Sequence, residues 1–178
     1  MRVVLTGGAG YIGSTLVPML LAQGHRVHVV DSLLFGGQAL LPHFLNPNFT
    51  FSQVDIRNRE ALAPELVDAD VVVHLAALVG YPLCKKLPLE ARNVNEEGTR
   101  NVAELSPPEA FVIYSSTGSN YGEVEGICAE DTPLNPLSLY GETKTRGEEI
   151  CRSRGNSVSL RFATAYGIAP RMRLDLMI

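Results

Sequence analysis

Two residues at helical spacing are the first sign of chemistry in this chain. Tyr140 and Lys144 form a Y-x-x-x-K pattern, and residues four apart lie on one face of a helix. A free tyrosine titrates near pH 10, so base chemistry near neutrality needs its pKa lowered by roughly 3 units, or about 4 kcal/mol. A nearby ammonium and a helix N-terminus both act in that direction. The pattern alone is common in ordinary helices, so its meaning depends on what surrounds it.

A cluster of hydroxyl groups comes before this pair. Residues 114–122 read Y-S-S-T-G-S-N-Y-G and follow a predicted strand. Residues at the carboxyl end of a strand in a parallel sheet face the ligand crevice. We therefore expect a hydroxyl of this cluster to hold a substrate oxygen while Tyr140 moves its proton.

A glycine-rich turn joins the first predicted strand to the first predicted helix. Gly7, Gly10 and Gly13 give the spacing G-x-x-G-x-x-G. Such glycines allow a tight turn, a close approach of the backbone to a pyrophosphate and close packing of helix on strand. The helix N-terminus adds unpaired N–H groups and a positive dipole end. The turn therefore predicts a dinucleotide-binding loop, with a plain glycine-rich turn as the alternative.

Asp31 selects the cofactor. It closes the second predicted strand, roughly 20 residues beyond the glycines, where a carboxylate binds the adenosine ribose hydroxyls. A 2′-phosphate there would meet a like charge, which costs about 4 kcal/mol per unit pair at about 4 Å with an effective dielectric constant near 20. No arginine follows at Ser32 or Leu33. NAD is therefore favoured over NADP, unless Asp31 only caps a turn.

Short apolar runs alternate with helical patterns along the chain. The runs lack polar alternation, as in a parallel sheet covered on both faces. The pattern predicts an α/β fold: a Rossmann-type doubly wound parallel sheet of strand order 3-2-1-4-5-6, in one domain over residues 1–178. The predicted strands are 2–5, 26–30, 49–54, 70–75, 110–114 and 157–162, and the predicted helices are 11–23, 58–66, 89–105 and 136–154. Asn135 and Pro136 suit the start of the last helix, and Pro18 should kink or widen the first.

Composition excludes several classes of protein. The chain has 178 residues, 46% of them hydrophobic, which is enough for a sizeable core. A formal charge of −4 and a pI of about 5.6 argue against nucleic-acid binding. No apolar run is long enough to cross a membrane, and we expect a cytoplasmic protein. Widely spaced cysteines predict buried or half-buried free thiols and no metal site; they are Cys84, Cys128 and Cys151.

Taken together, the motifs resemble the extended short-chain dehydrogenase/reductase family, in particular the NAD-dependent nucleotide-sugar epimerases. The match runs from Arg2 to about Arg173. Several spaced motifs in the correct order are more specific than any one of them. They are residues 6–13, Asp31, Asp55-Ile56, 74–77, 95–99, 115–122, Tyr140 with Lys144, and 160–162.

The resemblance implies a role for each matching residue. The glycine loop and Asp31 would hold the pyrophosphate and adenosine ribose, and the residues after the next two strands would lie along the adenine and the rest of the dinucleotide. Thr117 matches the family's catalytic Ser/Thr, Tyr140 its base, and Lys144 the lysine on the nicotinamide ribose. The implied cofactor-binding residues are Gly7, Gly10, Tyr11, Ile12, Gly13, Asp31, Asp55, Ile56, Leu75, Ala76, Ala77, Asn95, Tyr140 and Lys144.

The resemblance also implies a reaction. In an epimerase, Tyr140 would take a proton from a sugar hydroxyl while hydride passes to NAD. The keto sugar would then turn over and receive the hydride on its other face. The simplest substrate is a UDP-sugar epimerised at C4. The family often forms homodimers through helices such as those predicted at 89–105 and 136–154, and the same is expected here.

Departures from the family pattern limit which reactions and substrate contacts the resemblance implies. Sugar 4,6-dehydratases and some decarboxylating relatives carry an acidic residue after the catalytic Ser/Thr, where this chain has Gly118 and Ser119. Many epimerases have an asparagine where Thr164 stands. Family members are longer, and their C-terminal substrate domain is largely absent from this sequence. Arg171 and Arg173 suit either a diphosphate or a solvated basic face.

Two other functions remain open. A related NAD-dependent sugar dehydrogenase or reductase would release NADH, whereas an epimerase regenerates NAD. A non-catalytic NAD-binding or sensor module would have no use for Thr117, Tyr140 and Lys144 together.

Overall fold

A computed structural model describes residues 1–174 of the chain. The strands are β1 Arg2–Thr6, β2 Arg26–Asp31, β3 Phe49–Gln53, β4 Val71–His74, β5 Phe111–Thr117 and β6 Ser157–Phe162. The helices are α1 Tyr11–Ala22, α2 Arg59–Leu66, α3 Tyr81–Lys86, α4 Pro88–Arg92, α5 Thr99–Leu105 and α6 Leu139–Ser153. A π-helical turn at Asn93–Gly98 joins α4 to α5, and short 3-10 turns occupy Gln38–His43 and Gly118–Asn120.

The six strands form one parallel sheet in the order β3-β2-β1-β4-β5-β6. This confirms the predicted doubly wound topology. Because all strands are parallel, their carboxyl ends meet at one edge of the sheet. Thr6, Asp31, His74 and Thr117 end their strands there, and the switch of direction beside β1 makes that edge a ligand crevice.

Strand alternation divides the core into two layers. Val3 and Leu5 of β1 pack on the side that holds α1, whereas Val4 packs on the side of α2 and α5. Successive strand residues point to opposite faces, so a strand covered on both sides is apolar at every position. The α1 layer is thinner over β4 to β6. There a groove of about 640 Å³ is lined by apolar strand residues such as the half-buried Val71 and Ile113 and the exposed Leu160.

The helix predicted over 89–105 consists of three pieces, and the short helix α3 before it was not predicted. Pro88 is the first residue of α4 and separates it from α3, because proline has no N–H to donate to the preceding helical turn. The π-helical turn then inserts an extra residue before α5. Such turns are rare and concentrate at functional sites, and this one carries the buried Asn95.

Helix α6 lies unusually close to β5. A Cβ atom on Gly147 would stand 2.1 Å from the Tyr114 hydroxyl oxygen and 3.2 Å from the Asn95 carbonyl oxygen. Only glycine therefore fits at this crossing of helix, strand and π-helical turn. The Tyr114 hydroxyl donates to the carbonyl of Lys144 at 3.3 Å, which fixes the first turns of α6 over the sheet.

Two smaller expectations have mixed outcomes. Cys84 and Cys151 are buried free thiols as predicted, but Cys128 is exposed, since it lies in the loop between β5 and α6. Helix α1 runs on through Pro18. Among the described residues, no helix is both long and apolar enough to cross a membrane.

Candidate active site

The glycine loop is shaped by close backbone contacts. Gly7 has a positive φ of 75°, and a Cβ atom there would lie 2.6 Å from the Ala76 backbone nitrogen. A Cβ atom on Gly13 would lie 2.5 Å from the Cα of Gly8. Both glycines are therefore required by space, as the spacing predicted. The first contact also brings the loop against Leu75 and Ala76 beyond β4.

The N-terminus of α1 opens toward this edge without a side-chain cap. Gly10 is the N-cap residue and offers no side chain, and the first helical bond runs from the Ser14 N–H to the Gly10 carbonyl. The N–H groups of Tyr11, Ile12 and Gly13 consequently have no acceptor within the helix. Uncapped N–H groups and a positive dipole end form a site that fits a pyrophosphate.

Asp31 ties this loop to the end of β2. One carboxylate oxygen accepts the Ala9 N–H at 3.0 Å and the other accepts the Leu33 N–H at 2.8 Å. Burial raises the pKa of Asp31, and these two N–H groups and the charge of Arg171 act against that rise. A carboxylate can accept about four hydrogen bonds, so capacity for ribose hydroxyls remains. Asp31 thus caps the turn, and its contact with an adenosine ribose stays a prediction.

The two residues predicted to contact adenine are already engaged by other residues of the protein. Arg57 donates to both oxygens of Asp55, at 2.6 Å from Nη2 to Oδ2, and its other arm pairs with Glu90 on α4. This ion pair lowers the pKa of Asp55. The Ile56 side chain is buried in the core beside Gly98. Contact of Asp55 and Ile56 with adenine stays a prediction.

Asn95 acts as a clamp inside the protein. Its side-chain amide donates to the Leu78 carbonyl at 3.0 Å and to the Thr143 hydroxyl at 3.0 Å, and its oxygen accepts the Leu78 N–H at 2.8 Å. These bonds fasten the segment after Ala77 to helix α6. The approach of Asn95 to the dinucleotide stays a prediction, because its amide nitrogen and oxygen already have hydrogen-bond partners within the protein.

His74 is packed in the core and joins three elements. Its Nδ1 lies 2.6 Å from the Thr6 hydroxyl, and its Nε2 lies 2.9 Å from the Thr99 hydroxyl. Thr99 donates its own proton to the Asn95 carbonyl, so Nε2 must carry the ring proton and Nδ1 accepts from Thr6. Full burial lowers the pKa of His74 to about 3, and the ring is therefore neutral.

Helix α6 begins later than predicted. Its cap is Ser138, whose hydroxyl accepts the Gly141 N–H at 3.1 Å, and its first residue is Leu139. The predicted start at Asn135 and Pro136 was wrong: the Ser138 side chain provides the cap, and the Asn135 backbone N–H pairs with the Asn120 carbonyl in the preceding loop. Tyr140 is consequently the second residue of the helix, closer to the positive dipole end than the sequence indicated.

Tyr140 and Thr117 come together from α6 and β5. Burial raises the pKa of Tyr140, and a side-chain hydrogen bond with Thr117 and the charge of Arg173 work against that rise. In the protein alone, the net change is therefore opposite to the lowering that base chemistry needs. A lower pKa would have to come from positive charges near the phenolate, namely that of Lys144 when it is charged and that of a bound oxidised dinucleotide.

Lys144 lies one turn further along α6 and is 2% exposed. Its ammonium nitrogen lies 4.2 Å from the centroid of the Tyr114 ring, a cation–π contact. Burial lowers the pKa of Lys144 to about 7. A lysine balanced between its two charge states near neutrality is suited to hold ribose hydroxyls and to pass on a proton.

The segment after β6 passes over the start of α1. The Tyr11 hydroxyl donates to the Gly167 carbonyl at 2.7 Å, and the Arg171 N–H donates to the Ser14 hydroxyl at 3.2 Å. The Arg171 guanidinium stacks on the Phe35 ring at 5.1 Å. Arg171 thus lies beside the loop after Asp31 and not on an open basic face. Thr164 is exposed.

Comparison with known families identifies the chain. The model of the family described as "NAD dependent epimerase/dehydratase family" matches residues 3–175. This chain belongs to that family. The fold and the predicted cofactor agree with it, since the family is NAD-dependent. The expectation of NAD is confirmed at the level of the family.

Relatives within the family differ in the reaction that they catalyse. The chain is 38% identical over 163 residues to UDP-glucose 4-epimerase 2 of Oryza sativa subsp. japonica, covering 84% of this chain and 40% of that protein. It is 33% identical over 186 residues to UDP-glucuronic acid decarboxylase 4 of Arabidopsis thaliana, covering 98% and 41%.

Solved structures of nucleotide-sugar enzymes also share the fold of this chain. The crystal structure of UDP-glucuronic acid 4-epimerase from Bacillus cereus in complex with UDP-glucuronic acid and NAD superposes with a TM-score of 0.84 at 32% identity, covering 96% of this chain and 59% of that one. The chain therefore spans between two fifths and three fifths of the length of these relatives.

Proposed function

We propose that this chain is the cofactor-binding and catalytic part of an NAD-dependent nucleotide-sugar epimerase. The most specific form of the proposal is inversion at C4 of a UDP-sugar through a transient 4-keto sugar. The observation that carries it is the contact between Thr117 and Tyr140 at the carboxyl edge of the sheet, with Lys144 one helical turn beyond Tyr140 and the uncapped N-terminus of α1 at the same edge. A module that only bound the dinucleotide would not need the first three residues.

Each residue has a proposed task. NAD, when bound along the edge, would accept a hydride from sugar C4 and return it to the opposite face. Tyr140 would take the proton of the C4 hydroxyl and give it back, while the Thr117 hydroxyl would hold that oxygen. Lys144 would bind the ribose beside the nicotinamide and, when charged, favour the phenolate of Tyr140.

The absence of an acid beside Thr117 separates this proposal from dehydration. Dehydration needs an acid and a base at the sugar's C5 and C6, and the positions after Thr117 are Gly118 and Ser119. Among the described carboxylates, Glu148 lies next to this turn, but it is bound by Arg161. The residues present therefore support oxidation and reduction at one carbon better than elimination.

Decarboxylation of a UDP-uronic acid is a second candidate. The similarity to the Arabidopsis decarboxylase favours it. Its chemistry begins in the same way, because a keto group at C4 lies β to the C6 carboxylate and allows loss of CO2. The same Thr117, Tyr140 and Lys144 would serve, but some decarboxylating relatives carry an acidic residue after the catalytic Ser/Thr, where this chain has Gly118 and Ser119. Epimerisation therefore remains the first proposal.

Product analysis tests the proposal. The chain would be incubated with NAD and UDP-glucose, UDP-galactose or UDP-glucuronic acid, each deuterated at C4, and products would be followed by NMR and absorbance at 340 nm. Epimerisation predicts a C4 epimer that keeps its deuterium with no accumulation of NADH. A steady rise at 340 nm would favour the dehydrogenase, and CO2 with a UDP-pentose would favour the decarboxylase. Tyr140→Phe should abolish whichever reaction is seen.

We further propose that the protein acts in the cytoplasm as a homodimer. An acidic pI of about 5.6 and three cysteines without a disulfide partner suit a reducing compartment. Exposed faces of α4, α5 and α6 would form the interface. Sedimentation at micromolar concentration would contradict the dimer if it showed a monomer alone.

A further inference from the structure

A buried carboxylate on α6 lies directly beneath the proposed catalytic turn. Glu148 is 7% exposed and sits one turn beyond Lys144. Its oxygens accept hydrogen bonds from the Ser116 hydroxyl at 2.7 Å and from the Asn120 amide at 3.2 Å. The Arg161 guanidinium of β6 donates to it at 2.6 Å. Three separate segments therefore meet on one carboxylate.

Arg161 extends this cluster to the other side of the turn. Its free arm donates to the Tyr121 hydroxyl at 2.9 Å and to the Glu130 carbonyl at 2.9 Å. Its guanidinium also lies 5.0 Å from the centroid of the Tyr121 ring. In the sheet, Arg161 is the register partner of Ser116. The two residues that bind Glu148 from the sheet are thus themselves neighbours.

The partners of Glu148 bracket Thr117 in the sequence. Ser116 comes immediately before Thr117, and Asn120 and Tyr121 follow it within the 3-10 turn and its end. The Thr117 hydroxyl oxygen accepts the Ser119 N–H at 3.1 Å, which directs its proton away from the turn. The position of Thr117 relative to Tyr140 is therefore set by a contact between β5 and the helix that carries Tyr140.

We propose that Glu148 is a positioning residue that holds Thr117 in register with Tyr140 and Lys144. The proposal rests on the proposed function for its effect on turnover, and on geometry alone for its effect on Tyr140. A purely stabilising ion pair is the alternative. Buried ion pairs contribute little net stability once their desolvation is counted, and stability alone would not require bonds to both flanks of Thr117.

Ser116→Ala removes one contact of this cluster and leaves the Glu148–Arg161 pair intact. Ser106→Ala is the matched control, since Ser106 is also buried and donates its hydroxyl, to Val102 at 2.6 Å, far from the site. The first measurement is the ionisation of Tyr140, taken as the ultraviolet difference between each protein and its Tyr140→Phe counterpart. Loosening Thr117 should raise the apparent pKa of Tyr140 by about half a unit in the first variant and leave it unchanged in the control.

Turnover provides the second measurement. Reduction of bound NAD by a nucleotide sugar should slow about tenfold in Ser116→Ala and more in Glu148→Gln, with NAD affinity within twofold of wild type in calorimetry. Equal behaviour of the two serine variants in both measurements would overturn the proposal. So would a Glu148→Gln protein that melts earlier but keeps the wild-type Tyr140 ionisation and rate.

The two proposals fail in different ways. If the wild-type chain oxidises no nucleotide sugar, the proposed function fails, and the Tyr140 titration still decides whether Glu148 positions Thr117. If Glu148→Gln does not fold, Ser116→Ala decides alone, because it leaves no buried charge without a partner.

Discussion

The glycine loop lies at the same edge of the sheet as a group of side chains that we call the Thr117 cluster, but the two are built in opposite ways. The Thr117 cluster consists of Thr117, Tyr140 and the contacts of Glu148 with Ser116 and Arg161. The loop works by lacking side chains: Gly7 and Gly13 let backbone approach backbone, and Gly10 leaves the helix end uncapped. The cluster works by side chains that come from β5, β6 and α6 and hold one another. The residues of the first are consecutive in sequence, although Gly7 also meets the Ala76 backbone across the sheet, whereas the residues of the second come together only after the sheet has formed.

This difference teaches that binding and chemistry should be separable. Damage to the loop should weaken the dinucleotide complex, and damage to the cluster should slow the reaction while leaving the complex intact. The predictions below, from the largest expected effect to the smallest, sharpen that separation or break it.

Tyr140→Phe should lower turnover about a thousandfold, within the range for loss of a general base. NAD affinity should stay within a few fold, because the change removes one hydroxyl from the cluster and nothing from the loop. Single-turnover reduction of NAD and calorimetry would measure the two effects. A large loss of NAD affinity would show that the two regions are not separate.

Gly7→Ala should lower NAD affinity by about a hundredfold or more, because the new methyl group meets the Ala76 backbone and the residue is held at positive φ. Gly24→Ala is the matched control: its φ of 77° is nearly that of Gly7, but nothing lies within 4 Å of the added Cβ. Gly24→Ala should lose about 1 kcal/mol of folding stability from backbone strain, and Gly7→Ala should lose more, because its methyl group also meets the Ala76 backbone. Calorimetry and thermal unfolding of the pair separate strain from close approach, and equal NAD affinities would refute the role given to Gly7.

Lys144 gives folding stability a pH dependence. Its pKa falls from 10.5 to about 7 on folding because burial disfavours the charge, so between these values the unfolded chain binds the extra proton. The free energy of unfolding should then rise with pH above 7, by at most about 1.4 kcal/mol per pH unit. Denaturant unfolding of wild type minus Lys144→Met, from pH 6 to 9, would show the rise. The exposed Lys86→Met serves as the control, and a flat difference for Lys144 would mean that water reaches its ammonium.

Asp31→Asn should reduce the preference for NAD over NADP about tenfold, since it removes the charge that repels a 2′-phosphate but keeps the side chain's shape. The neighbouring Arg171 would then face the phosphate without a competing carboxylate. Calorimetric titration with both dinucleotides measures the ratio, and Asp68→Asn, whose side chain is 79% exposed, is the control. An unchanged ratio would assign the selectivity to shape.

The loop and the sheet order could be predicted because their signals are local. Apolar runs without polar alternation give buried parallel strands, and a glycine turn between strand and helix fixes where the crevice lies. Asp31 could be placed in the same way, from its position at the end of β2. Each of these features depends on a few consecutive residues and elementary packing.

The cluster could be predicted only in part. Tyr140, Lys144 and Thr117 carry sequence patterns, but β5 extends to Thr117 because β6 pairs with Ser115, Ser116 and Thr117, which no local run of residues reveals. The sequence offers both Asn135 and Ser138 as caps for α6, and the structure places Ser138 at the helix start. Glu148 and Arg161 are ordinary charges until tertiary packing buries them together, so sequence reasoning passed over their contact.

The close crossing at Gly147 also limits which amino-acid substitutions this chain can accept during evolution. Its neighbours Arg146 and Glu149 are exposed and form an ion pair with each other at the surface, so substitutions there should leave the packing of α6 on the sheet unchanged. Any side chain at position 147 would lift α6 from Tyr114 and carry Tyr140, Lys144 and Glu148 away from the edge together. A saturation library should therefore tolerate most residues at positions 146 and 149 but only glycine at position 147. This one position thus restricts which sequences can keep the fold.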